Sequence, residues 1–308
     1  MGVRFPPFLG YLLRRSRRAT HDHQVAAELA WKLDLPAGLE VQWLGTSGFS
    51  FRYEGTTVLV DPYFSRVSLG AVVSRRRVAP SRDRLAGFDR DVDAILIGHA
   101  HFDHVMDAPL IAERTGARVY GSASTANLMA LYNLQAQTTV VEPSRVYEIG
   151  PFEVTFVSSR HSKLVLGMRV PYRGDITCEH LDDLTAPAYR CGDVFGIHIK
   201  VAGRTFYHQG SADLIDDAIE HRGIDYFLAG IAGRGYTKDY LPRILGRLEP
   251  RVIVPNHFDN FFLPLEAPLA MSFNVNLAAF PDEVGAVSRD FEIAVPTRIA
   301  ATPALPGP

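Results

Sequence analysis

Cysteine is nearly absent: Cys178 and Cys191 are the only two in 308 residues. A disulfide framework is therefore excluded, and the spacing is too wide for a CxxC redox or zinc pair. Lysine is scarce too. Only Lys32, Lys163, Lys200 and Lys238 stand among 32 basic residues, and 34 acidic residues leave a formal charge of −2. That balance excludes a chain whose whole surface is built to hold nucleic acid, while local basic patches stay open. No apolar run reaches the roughly 18–20 residues that span a bilayer, and the N-terminus lacks the charge-then-apolar order of a secretion signal. A soluble protein in a reducing cytoplasm is the expectation. Apolar residues are plentiful, at 47% with 10% aromatic against 21% charged. That is enough for a sizeable core in one large domain or two small ones.

Residues 1–38 read as an N-terminal extension in which Phe5, Phe8, Leu9 and Tyr11 to Leu13 precede the Arg14, Arg15, Arg17, Arg18 cluster. Such a segment either touches an anionic membrane peripherally or straps onto the domain with a solvated arginine end. A helix is expected from Gln24 to Leu33, and Pro36, Ala37 and Gly38 mark the boundary. From Val41 the pattern is a β-meander, Val41–Leu44, Phe49–Tyr53 and Thr56–Val60, ending at Asp61-Pro62. Further strands are expected at 94–97, 118–120, 139–141, 152–158, 194–201, 205–208, 226–228, 252–254 and 291–295. Helices are expected at 106–114, 124–131, 213–221, 238–248 and within 281–288. Two β-rich halves, each carrying helices, imply an α+β domain over residues 39–301 with its sheets packed together and helices outside. No internal repeat is visible, and the Pro/Gly-rich tail 302–308 is expected to fray.

The sharpest chemical signal is His99-Ala100-His101-Phe102-Asp103-His104, three imidazoles and a carboxylate within six residues, just beyond an apolar strand. At this chain's histidine and aspartate frequencies the pattern arises by chance on the order of one time in a thousand. Neutral imidazole and carboxylate suit borderline divalent metals, and close spacing on a tight loop lets the side chains point at two neighbouring centres.

In this HxHxDH run after a strand, the sequence resembles the metallo-β-lactamase superfamily, in motif order over most of residues 41–300. The resemblance implies an αββα four-layer sandwich, with two mixed β-sheets face to face and helices on the outer faces. It also implies two divalent ions, zinc foremost, with manganese or iron as alternatives. His161, after the strand at 152–158, and His257, after the strand at 252–254, match the remaining ligand histidines. The implied assignment is His99, His101 and His161 on one ion and Asp103, His104 and His257 on the second. Asp103 doubles as the catalytic proton shuttle. Asp61, Ser162, His208 and Asn256 then support the ligands without binding metal. Two ions roughly 3.5–4 Å apart share a water and lower its pKa from ~15.7 toward ~7, so no Ser/His/Asp triad is needed. The sequence departs from the family at the fourth motif, where His208-Gln209-Gly210-Ser211-Ala212-Asp213 carries Ser211 in place of the usual bridging acid. Asp213 lies two residues on. In extended chain it faces the same side and bridges the metals, or else it caps the following helix.

The Thr46-Ser47-Gly48 meander, Asp61-Pro62 and His161-Ser162 look most like the ascorbate-6-phosphate lactonase branch. That branch is similar in its motifs to N-acyl phosphatidylethanolamine phospholipase D. The implied substrate is a small, anionic lactone or phosphodiester. Arg75, Arg76, Arg77, Arg82 and Arg84 either hold its anion or form a solvated face. Phe261, Phe262, Leu263, Leu265, Leu269 and Met271 form either an apolar wall for an acyl chain or a core, and they allow a homo-oligomer. The long segment 162–193 is a candidate lid. Two other readings stand beside the hydrolase: an iron-dependent redox enzyme on the same fold, and a metal-stabilised binding protein without turnover.

Overall fold

The computed structural model describes residues 19–86, 92–163, 169–272, 275–297 and 299. The aromatic and arginine-rich stretch 5–18 and the tail 302–308 lie outside them. The first sheet begins as the expected meander of β1 (Glu40–Gly45), β2 (Gly48–Tyr53) and β3 (Thr56–Val60). It continues through three parallel pairings to β4 (Ala94–Leu96), β5 (Arg118–Gly121) and β6 (Thr138–Val140), in the order β1-β2-β3-β4-β5-β6. The second sheet repeats the plan. β7 (Val146–Ile149), β8 (Phe152–Ser158), β9 (Phe195–Val201) and β10 (Arg204–Gln209) are antiparallel, then β11 (Tyr226–Gly230), β12 (Val252–Asn256) and β13 (Glu292–Ile293) pair in parallel. Two sheets of one plan thus arise from halves with no visible sequence repeat.

Period-two alternation divides the core into layers. In β3, Val58 and Val60 join the cluster between the sheets while Leu59 joins the one beneath the outer helices; in β4, Ala94 and Leu96 divide from Ile95 in the same way. The inter-sheet layer is aromatic-rich, with Phe51 edge-on to Phe206 at 5.1 Å and Trp43 stacked on Phe258 at 5.0 Å. Over the first sheet lie α3 (Phe102–Val105), α4 (Ala108–Thr115) and α5 (Ala123–Leu131), and α2 (Leu69–Val73) is a single exposed turn. Ser122 caps α5 by accepting from Thr125 N, and Gly116 ends α4 in the left-handed region at φ 76°. The second sheet is covered by α6 (Tyr240–Leu248), which buries Leu241, Ile244, Leu245 and Leu248, and by α7 (Phe280–Gly285). This is the expected α+β sandwich with helices outside both sheets.

Two expectations are corrected and one strand is added. Residues 213–221 form no α-helix but a 3-10 turn, Asp216–Ala218. The N-terminal helix α1 covers 19–28 rather than 24–33, because Ala30 is already bridged to Val295 and Trp31 N donates to Val295 O. β7 escaped prediction because its residues are mostly exposed or half-buried, so no apolar run marks it.

Candidate metal centre

His99, His101 and His104 leave the end of β4, His161 follows β8 and His257 follows β12. β8 and β10 both run antiparallel to β9, and β12 is parallel to β10 through β11, so these strands deliver their C-terminal ends to one rim. Three groups of ligand atoms converge there, each within 4.8 Å: His99, His101 and His161; Asp103, His104 and His257; and Asp61 with His99 and His104. The first two are the sets implied by the sequence resemblance. They adjoin, since the rings of His99 and His104 are 3.8 Å apart.

The outer nitrogens fix how these rings are presented. His101 Nε2 donates to Pro171 O at 3.0 Å and His161 Nδ1 to Ser162 O at 2.7 Å, because a carbonyl can only accept. His104 Nδ1 faces Asp61 Oδ2 at 2.8 Å. In His101 and His161 the opposite nitrogen is left with a free lone pair, the arrangement that orients imidazoles for metal, and the Asp61 contact fixes the His104 ring in place. His99 Nε2 is buried and has no hydrogen-bond partner. A buried nitrogen without a partner is costly, and its position among four other imidazoles suits it to donate its lone pair to a cation.

Burial lowers the pKa of His99 and His161 well below the usual value and brings His101 to about 4, neighbouring imidazoles adding to the effect. All three are neutral, ligand-competent donors near pH 7. Burial opposes charge on His104 as well, but Asp61 and Asp103 outweigh it and its pKa is raised. Burial would likewise raise that of Asp103, yet His104 and His257 overcome it and hold the carboxyl ionised. Asp103 Oδ2 stands 3.3 Å from His257 Nε2 and 3.8 Å from His104 Nε2.

Asp61, at φ 43°, also accepts from Gly98 N at 2.7 Å, tying the end of β3 to the metal loop. Ser47 links two more of the anticipated supports, accepting from His208 Nε2 through its carbonyl at 2.8 Å and donating its hydroxyl to Asn256 Oδ1 at 3.1 Å. Ser162 N donates to Ser211 Oγ at 3.0 Å, so Ser211 lies beside the His161 loop. Gly210 has no room for a side chain, because a Cβ would approach Asp61 Oδ2 to 2.9 Å.

Asp213 is not brought into the cluster. Asp213 N donates to Ser211 O at 3.0 Å, which turns the chain out of the extended geometry that would have given the two residues one face. Its carboxylate accepts from Leu214 N at 2.8 Å and lies 3.8 Å from Arg243. It caps no α-helix either, so both sequence readings of Asp213 give way.

Several residues that position the site carry no sequence signal. Buried Asp107 accepts from Phe64 N and Ser65 N, holding the segment after Asp61. Arg66 pairs with Asp259 at 2.7 Å, and Asp259 accepts from Thr46 N at 2.8 Å. The segment 169–193 is no free lid: Ile176, Leu184, Ala186 and Tyr189 are buried in the outer core, and Tyr172 lies edge-on to His101. Of the arginine run, Arg77 contacts Leu181 O and Asp182, Arg82 pairs with Glu113 and Arg84 with Glu266. Half-buried Phe261 stands edge-on to the ring of His257 at 5.3 Å.

A profile of the beta-lactamase superfamily domain matches residues 40–257. A UPF0173 metal-dependent hydrolase of Anaeromyxobacter dehalogenans strain 2CP-1 is 32% identical over 234 residues, covering 72% of this chain and 75% of its own. Among solved structures, a metallo hydrolase of Ignicoccus hospitalis is similar at TM-score 0.51 and 20% identity, over 83% of this chain and 94% of its own. CmlA, a diiron β-hydroxylase of Streptomyces venezuelae, is similar at TM-score 0.52 and 15% identity, over 91% of this chain and 59% of its own. Those two likenesses concern the fold. The profile spans well over half of the chain and its ends coincide with the first strand of the sandwich and the last histidine of the cluster: the chain belongs to the metallo-β-lactamase superfamily of metal-dependent hydrolases.

Proposed function

We infer that this protein hydrolyses a lactone or phosphodiester bond in a small anionic molecule. The reaction depends on two divalent ions, zinc foremost, held by His99, His101 and His161 and by Asp103, His104 and His257. The observation that supports this reading is the partnerless Nε2 of His99, set beside His101, His104 and His161, whose outer nitrogens each face an acceptor. When bound, the ions lower the pKa of a water and polarise the scissile carbonyl or phosphoryl group. Asp103 is ionised and faces both His104 and His257, so it accepts a proton and passes it to the leaving oxygen. Asp61, through His104 Nδ1, keeps that imidazole facing inward. Phe261, beside His257, gives the site an apolar side for the uncharged part of the substrate.

Elemental mass spectrometry on protein purified without affinity metal tests the reading, with wild type, His99→Ala and Asp213→Ala in parallel. Two ions in wild type and in Asp213→Ala, fewer in His99→Ala, and metal-dependent turnover on lactone or phosphodiester panels are the expected results. A single iron with oxygen-dependent turnover would replace the hydrolase by the redox reading, and full occupancy with no turnover would favour a binding protein.

A further inference from the structure

A cleft of 670 Å³ opens beside His161, outside the set of ligands. Its cations come from separate stretches of chain: Arg160 and Lys163 follow β8, Arg173 lies in the segment packed on His101, and Lys238 and Arg243 belong to the approach to α6 and to α6 itself. Two carboxylates line it, Asp193 and Asp213. Arg243 pairs with Asp216 and lies 3.8 Å from Asp213, so its single charge leaves one of these two carboxylates in surplus. Arg160, Lys163, Arg173 and Lys238 form no ion pair among the described residues, and Asp193 with the surplus carboxylate beside Arg243 still leaves cations in excess. A solvated charge run is contiguous in sequence. Here three distant segments converge on one concavity, where low-dielectric walls focus the field.

We propose that this cleft is the subsite for a terminal oxyanion of the substrate, carboxylate or phosphate, and that it places the adjoining bond at the His99, His101 and His161 group through the shared residue His161. The proposal rests on the hydrolase reading and names the feature that its substrate must carry. Arginine supplies paired N–H donors matched to two oxygens, and lysine a compact charge; both suit an oxyanion better than a neutral group. The Arg75–Arg84 run, the sequence's own candidate for this task, is partly spent elsewhere: Arg77, Arg82 and Arg84 pair with Asp182, Glu113 and Glu266.

The test titrates inorganic phosphate, and separately succinate, calorimetrically into the full chain after chelation, so that no bound metal contributes an anion site. Wild type binds at least one of the two, and the stronger identifies the terminal group. Affinity falls about 10-fold or more in Arg173→Ala/Lys238→Ala and in Arg160→Ala/Lys163→Ala, and it weakens as salt shortens the screening length. It is unchanged in Arg75→Ala/Arg76→Ala, and melting curves show whether each variant folds. Absence of binding in wild type, or wild-type affinity in both folded cleft variants, overturns the proposal. Metal-loaded protein that hydrolyses neutral esters while binding neither anion overturns the subsite and leaves the hydrolase. Anion binding lost in the cleft variants, in a protein inert on every ester, lactone and phosphodiester, supports the subsite and overturns the hydrolase.

Discussion

Asp103 and Ser211 are the residues at which this site is most open to test. Asp103 touches His257 and, more distantly, His104, so Asp103→Asn preserves shape while removing the charge proposed to accept a proton. The expected outcome is a kcat lower by roughly 10²–10⁴-fold with most of the metal retained; full turnover would remove the shuttle role. Ser211 occupies the acid position of the fourth motif and pairs with Ser162 beside His161. Ser211→Asp is expected to tighten binding of the second ion by roughly 10-fold, about 1.4 kcal/mol, seen as higher metal content after dialysis against a weak chelator. Unchanged content would show that the position faces away from the metals. The depressed histidines set an acid limit for the metal-free protein. His101 titrates near 4 in the folded chain, against about 6.5 unfolded. Between these values the unfolded chain binds more protons, so stability is full above pH 6.5 and declines as pH falls toward 4. This residue accounts for a loss of about 3 kcal/mol, which urea unfolding of the chelated protein at a series of pH values measures. His104, with its raised pKa, works in the opposite sense.

At the scale of elements, the active rim depends on ties between loops that follow different strands. His257 N donates to Thr46 O at 2.7 Å, and Asp259 holds Thr46 N while paired with Arg66. The turn between β1 and β2 is thereby fixed to the loop that carries His257. Arg66→Ala leaves a buried, unpaired carboxylate, and breaking such a pair costs about 3–5 kcal/mol. Urea denaturation should report that loss, and Arg66→Ala/Asp259→Asn should recover part of it by removing the orphaned charge. A loss below about 1 kcal/mol in the single variant would show that the pair is hydrated and peripheral. The same loops explain why the sequence pattern misjudged 213–221: the Asp216 carboxylate serves Arg243, and the Asp213 carbonyl accepts from Ser159 and Gln209 rather than from a helix.

At the scale of the whole molecule, the proposed ligands come from both sheets, four from the segment after β4 and two from loops after β8 and β12. Bound ions would therefore staple the two sheets at one rim. A ligand held only by the folded state stabilises it by RT ln(1 + [L]/Kd), about 4 kcal/mol at a thousandfold excess over Kd. Stripping metal should lower the melting temperature by several degrees, and zinc or manganese should restore it. An unchanged melt would mean that the rim is held by its hydrogen bonds alone. Among the described residues no helix is long and apolar enough to cross a membrane.

The sequence by itself determined the family, the order of its motifs and most strands, because these rest on local patterns. Short apolar runs bounded by turn residues define β1 to β3, β8 and β12, and HxHxDH packs its chemistry into six residues. It could also mark His161 and His257 by their places after strands. Only the tertiary structure decided the remainder. Asp213 turned toward Arg243 because a hydrogen bond to Ser211 O bent the chain, and no pattern in i and i+2 records such a bend. The Arg66–Asp259 pair, the Asp107 anchor and the cationic cleft each join residues far apart in sequence, and their burial and charge balance exist only once those segments meet. Local order follows from near-neighbour sterics and periodicity, whereas long-range electrostatic partnership is a property of the packed chain.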